Sequence, residues 1–110
     1  MLFISVEDFF RQAGAITPLD RGQEKELALA MRKSDQTARQ ALIFGYLPFV
    51  ASAIRKAPKN IQTLHTVYAC IETLEKCVDR FDFQQDSERF THHLSWGLRQ
   101  CITRCIADRP

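Results

Sequence analysis

The sequence predicts an all-α fold, a compact helical bundle, and three observations carry that prediction. Apolar residues recur at three- and four-residue steps from one end of the chain to the other, which is the period of a helix with one buried face. Strict apolar–polar alternation is missing, as are the Asn-Gly and Asp-Gly pairs that mark tight hairpins. Capping signatures precede several of the periodic stretches. The 110 residues suffice for one small domain, with 45% apolar and 25% charged residues and only 4 Gly and 4 Pro, a composition that suits a packed core rather than a disordered or fibrous chain.

The spacing predicts helices over 5–13, 20–33, 35–45, 48–57, 61–80 and 91–108. Ser5 with Asp8 three residues on resembles a cap for the first helix, whose apolar face is Val6, Phe9, Phe10 and Ala13, and Gly14 ends it. After the Thr17-Pro18 turn, Asp20 and Gln23 form a second capping signature ahead of Leu27, Ala30 and Met31. Ser34-Asp35 restarts the chain as an N-cap, and Ala38, Ala41, Leu42 and Phe44 carry the third stripe to Gly45. Pro48 fits the first turn of the fourth helix, where a missing N–H costs nothing, and Ala57-Pro58-Lys59-Asn60 is read as a loop. Leu64, Val67, Ile71, Leu74 and Val78 make the stripe of a long central helix. Phe81 to Glu88 reads as a polar turn, and the last helix shows Leu94, Leu98, Cys101, Ile102, Cys105 and Ile106 on one face. Phe9, Phe10, Phe44 and Phe49 are expected in the core, and Glu24, Lys25 and Glu26 on a solvated face.

The net charge of +2 hides a local split: residues 72–88 hold six acids and two bases, net −4, while 89–110 hold four Arg and one Asp, net +3. No apolar run approaches the roughly 18 residues that span a bilayer, and Met1-Leu2-Phe3-Ile4 lacks the basic start of a signal peptide. Without a secretory signal, and with Cys70, Cys77, Cys101 and Cys105 inside helical stretches, the expectation is reduced thiols in a cytoplasmic setting and no membrane partner. The cysteines and His65, His92 and His93 lack the Cys-x-x-Cys knuckle of structural zinc, so no metal and no cofactor are expected. Nor does any nucleophile–base order or carboxylate pair suggest an enzyme.

On the last helix the polar side collects an aromatic, an amide, a hydroxyl and two guanidiniums: Trp96, Arg99, Gln100, Thr103 and Arg104. That set suits nucleic acid, with Arg for phosphates, Gln and Thr for base edges and Trp for stacking on an exposed base. From pattern alone the set reads first as an amphipathic helix with a solvated polar face and a partly buried Trp. Arg55, Lys56 and Lys59 form a second basic group that could touch a phosphate or simply face water.

The stretch Trp96-Gly97-Leu98-Arg99-Gln100-Cys101-Ile102-Thr103-Arg104-Cys105-Ile106-Ala107-Asp108 closely resembles Trp-Trp-Ile-Arg-Gln-Ala-Ile-Thr-Arg-Ala-Ile-Ala-Asp of sigma-70 family sigma factors. The likeness extends to Val78-Asp79-Arg80-Phe81-Asp82 (family Val-Glu-Lys-Phe-Asp) and to Leu47, Val50, Ser52, Arg55 and Lys56 within the family's Asn-Leu-Arg-Leu-Val-Val-Ser-Ile-Ala-Lys-Lys. Pro18-Leu19-Asp20 and Gln23 through Ala28 are similar to the family's Leu-Leu-Thr-x-Glu-Glu-Glu-x-Glu-Leu-Ala. The resemblance thus covers most of the chain in order, with 5–33 resembling region 1.2 and 35–108 regions 2.1 to 2.4, within a single domain spanning 1–110.

The resemblance implies a helical promoter-reading domain that binds bacterial RNA polymerase core and melts the minus-ten element, capturing an unpaired base of the non-template strand of promoter DNA. Carried over position by position, Phe90, Trp96, Gln100 and Thr103 match that machinery, Arg99 and Arg104 match arginines of the motif, and His93 stands where the family usually has Tyr. Gly97 replaces the second Trp, and one residue is inserted between Phe83 and Arg89. The polymerase-facing positions fall on Leu64, His65, Tyr68 and Glu72, yet His65-Thr66-Val67-Tyr68-Ala69-Cys70 replaces the family's Asp-Leu-Ile-Gln-Glu-Gly, which removes acidic matches for a basic partner surface. The family's later domains have no counterpart in these residues, so the chain reads as a one-domain sigma factor, half of a split one or an excised piece. A second sigma subunit or an anti-sigma factor is then a further partner class. The competing reading is a sigma-fold interaction module that binds or sequesters a transcription component without reading DNA.

Overall fold

The structure, a computed structural model, describes residues 2–83 and 89–108, and these form six α-helices with one 3-10 turn and no β-strand among them. The helices are α1 (Val6–Gly14), α2 (Arg21–Arg32), α3 (Gln36–Gly45), α4 (Leu47–Arg55), α5 (Leu64–Arg80) and α6 (Phe90–Ala107). Each expected helix is present, with ends that match or move by up to three residues. The starts follow from side-chain capping of orphan N–H groups. Ser5 Oγ accepts the Asp8 N–H, Asp35 accepts those of Thr37 and Ala38, and Asp20 and Gln23 form a reciprocal capping box. The central helix starts later than periodicity suggests, because Thr63 Oγ1 caps the Thr66 N–H and Lys59–Ile61 form the 3-10 turn ahead of it.

The α2–α3 junction is a Schellman turn. Ser34 takes the left-handed conformation, at φ 66°, while its N–H donates to the Met31 carbonyl and the Asp35 N–H to that of Ala30. That leaves Asp35 in place to cap α3, so two helices meet with only a two-residue break beyond the Lys33 cap.

A continuous apolar core joins residues from all six helices, with Phe9, Leu42, Val50, Ile54, Val67, Leu74, Val78, Phe90, Leu94 and Leu98 fully buried. α5 and α6 share the most extensive helix contact, α4 packs on both, α1 lies on α4, and the α2–α3 pair joins through α3. Two expectations need correction. Phe44 is 52% exposed rather than core, since it sits on the outer side of α3 while Leu42 and Ile43 take the inner positions. Glu24 is 5% exposed rather than solvated, because α2 turns it inward to accept a hydrogen bond from the Tyr46 hydroxyl at the α3–α4 junction. Its burial raises its carboxyl above the ordinary range, against the opposing charges of Arg89, Arg21 and Lys25.

The turn expected to be polar over 81–88 is aromatic at its start. Phe83 and Phe90 rings stack at 5.0 Å, and Phe81 meets both edge-on at 4.9 and 5.3 Å. Residues 84–88, the remainder of that expectation, lie outside the described residues.

Candidate nucleic-acid interface

α6 is held on two sides, by α5 and by α4, and this fixes which of its residues face water. Leu94 and Leu98 point into the core, while Ser95, Trp96, Arg99, Gln100, Thr103 and Arg104 are exposed. Trp96 leaves 54% of its surface in solvent, unusual for the largest apolar side chain. Two neighbours hold it. Its indole Nε1–H donates to His92 Nε2 at 3.3 Å, and the Arg99 guanidinium lies 5.9 Å from the ring.

The exposed ridge divides two grooves. One, about 400 Å³, runs between α5 and α6 and is lined by Lys76, Arg80, His93, Trp96, Gln100 and Arg104 over a floor of Thr73, Cys77, Gly97 and Cys101. The other, about 340 Å³, runs between α4 and α6, with Ser52, Lys56, Ser95, Arg99 and Thr103 around Phe49, Leu98 and Ile102. Neither contains an acid among its described lining residues. The polar set of α6 is therefore split: Trp96, Gln100 and Arg104 serve one groove, Arg99 and Thr103 the other. Adjacent Arg55 and Lys56 also separate, since Arg55 stacks over the Phe10 ring at 4.4 Å while Lys56 reaches the α4–α6 groove.

An aromatic standing out of a cationic ridge is able to stack on an unpaired base while the flanking groups neutralise phosphates. No protein-family model matches the chain, but RNA polymerase sigma factor SigA of Clostridium acetobutylicum is 30% identical over 111 aligned positions that take in 96% of this chain. The chain carries a sigma-70 family region. It spans 29% of the length of that relative.

Within this sigma-70 family region, Gly97 has a structural reason. A Cβ there would lie 3.1 Å from Cys77 Sγ and 3.2 Å from Thr73 Cγ2, so α6 crosses α5 at the one residue that carries no side chain. A second Trp in this position would have to displace α5 or fill the groove. Phe90, expected in the base-capturing set, is fully buried under Tyr46, Phe81 and Phe83, where it supports the site from beneath instead of facing solvent. His93 is half-buried against Phe81 at 5.3 Å.

On α5, His65, Tyr68 and Glu72 share the exposed side, whereas Leu64 is half-buried against the core. Tyr68 is engaged: its hydroxyl accepts the Phe3 N–H at 2.9 Å and its ring lies 6.2 Å from that of Phe3. Glu72 pairs with Lys76 at 3.0 Å. Sequence reasoning did not single out Lys76 and Arg80, which belong to the acid-rich stretch of the chain but face the basic groove. The helical step from 76 to 80 was their only signal. Among the described residues no group of three or more His, Cys, Asp or Glu is placed to hold a metal ion, and no helix is long and apolar enough to cross a membrane.

Proposed function

We propose that this chain acts in transcription initiation as a sigma-type module, docking on RNA polymerase core through α5 and presenting α6 to the non-template strand of the minus-ten element. The observation that carries the reading is Trp96, exposed between two grooves that hold no acid among their described lining residues and are bordered by Lys56, Lys76, Arg80, Arg99 and Arg104. Trp96 stacks on an unpaired base, Gln100 and Thr103 reach base edges in the adjoining duplex, and the five cations neutralise phosphates on either side of the ridge. The chemistry is binding and strand separation, with no bond made or broken. Each base captured on an aromatic is stabilised by about 1–3 kcal/mol, which helps offset unstacking.

The test mixes the chain with bacterial RNA polymerase core and follows binding of a non-template oligonucleotide carrying a minus-ten element against a scrambled one. Trp96→Ala is expected to weaken the specific complex by about 1–3 kcal/mol without disturbing co-elution with polymerase. Co-elution with unchanged affinity in Trp96→Ala, and also in Gln100→Ala and Thr103→Ala, would favour an interaction module that does not read DNA. Clean separation from polymerase would overturn the docking half of the proposal.

A further inference from the structure

Behind the exposed ridge lies a thiol pair that DNA recognition does not use. Cys70 of α5 and Cys101 of α6 face each other with their Sγ atoms 3.9 Å apart, the Cys70 S–H donating to Cys101. Their accessibility differs in a useful way. Cys70 is fully buried, whereas Cys101 is half-buried and lines the solvent-open α5–α6 groove beside Trp96 and Arg104. We propose that Cys101 and Cys70 form a peroxide-reactive dithiol, Cys101 attacking and Cys70 resolving, whose product is a disulfide joining α5 to α6.

The surroundings favour that division of labour. The Cys70 S–H, then hydrogen bonds from Thr73 and Cys105 and the charge of Arg104, outweigh the burial of Cys101 and lower its thiol below the ordinary range, which favours the thiolate there. Hydrogen bonding to Cys101, then burial, pushes Cys70 up, which keeps it protonated until it is needed. In the first step the Cys101 thiolate attacks the O–O bond of a hydroperoxide, forming a sulfenic acid and, after proton uptake, water from hydrogen peroxide or an alcohol from an organic peroxide. In the second, Cys70 attacks the sulfenic sulfur, and its proton leaves with the hydroxide as water. Two thiols are oxidised by two electrons and one peroxide is reduced. The sulfur atoms must close from 3.9 Å to the roughly 2.05 Å of a disulfide, a step within reach of side-chain rotation across a helix pair already in contact at Gly97. This inference does not depend on DNA binding.

Trypsin separates all four cysteines into peptides 60–76, 77–80, 100–104 and 105–110, so the pairing is readable directly. The reduced chain is treated with hydrogen peroxide, quenched with N-ethylmaleimide and mapped without reductant. Monomeric protein lighter by two hydrogens, with peptide 60–76 joined to 100–104 and released by dithiothreitol, is the expected result. Cys105→Ser should retain that cross-link, and Cys70→Ser should leave a sulfenic acid on Cys101 that dimedone traps. Absence of the cross-link in the wild-type chain, its appearance only in dimers, or pairing of Cys101 with Cys77 or Cys105 would overturn the proposal, whether or not Cys70→Ser folds.

Discussion

Gly97 shows how much a single position decides. Glycine in mid-helix ordinarily costs about 0.5–1 kcal/mol relative to alanine. Here its absent side chain lets α6 approach Cys77 and Thr73 and leaves the floor of the α5–α6 groove open. Gly97→Ala sets that helical gain against contacts of 3.1 and 3.2 Å that must relax by a few tenths of an ångström. Gly97→Trp, which restores the residue of the resembling motif, has no such balance: overpacking typically costs about 1–3 kcal/mol. We expect Gly97→Trp to lower the denaturation midpoint by at least that much and Gly97→Ala to stay within about 1 kcal/mol of wild type. Equal midpoints for wild type and Gly97→Trp in chemical denaturation would show that α5 and α6 can separate freely. Ser34 is the opposite case, a side chain held at φ 66° where glycine belongs. Ser34→Gly should raise stability by about 0.5–1 kcal/mol, since the relief of left-handed strain exceeds the added freedom of the unfolded chain. A lowered midpoint would mean that the serine side chain contributes to the junction.

Between helices, the Arg39–Asp79 pair links α3 to α5 in two-point fashion, Nε to Oδ1 at 2.7 Å and Nη2 to Oδ2 at 2.9 Å. Arg39 holds the Asp79 carboxyl below the ordinary range, chiefly through the hydrogen bond and then through its charge. A carboxylate with a depressed folded pKa stabilises the protein above its unfolded value and loses that contribution as pH falls through the folded one. Asp79 is 50% exposed, so solvent screening keeps the effect small. Asp79→Asn should cost a few tenths of a kcal/mol, at most about 1, at neutral pH, and its deficit relative to wild type should vanish once the pH has fallen below the depressed folded pKa of Asp79. A deficit that persists unchanged in acid would point to packing instead of charge. The helices themselves were legible because caps and periodicity are local: Ser5, Asp20 and Asp35 each cap the helix that their position announces. What sequence could not disclose were the pairings that tertiary packing creates. Glu24 reads like its neighbours Lys25 and Glu26, and only Tyr46, 22 residues away, draws it inside. Cys70 and Cys101 are 31 residues apart and meet only because α5 and α6 are adjacent. Likewise, the helical wheel placed Trp96, Arg99, Gln100, Thr103 and Arg104 on one polar face, but their division between two grooves depends on α4 and α5.

At the scale of the molecule, the small net charge of +2 conceals a ridge whose cations come from three places: Lys56 just past the end of α4, Lys76 and Arg80 from α5, and Arg99 and Arg104 from α6. Chain-averaged charge therefore says little about binding, because Lys76 and Arg80 line the α5–α6 groove while no acid among the described residues does. Glu72 contacts Lys76 at 3.0 Å on an exposed helix surface, a pair weak enough for a phosphate to compete with it. If single-stranded DNA follows the α5–α6 groove, each neutralised phosphate releases counterions and contributes about 0.7 to the slope of log affinity against log salt. Replacing both Arg80 and Arg104 by alanine should then flatten that slope by about 1.4 for the polymerase-bound chain, while the affinity difference between minus-ten and scrambled oligonucleotides is largely kept. Trp96→Ala should do the reverse, reducing the sequence preference and leaving the slope alone, because an uncharged stacking surface displaces no counterions. Measuring both variants across a salt series separates phosphate positioning from base capture. A slope unchanged in the double arginine variant would show that the strand takes another path, with the α4–α6 groove and its Lys56 and Arg99 the next to be substituted.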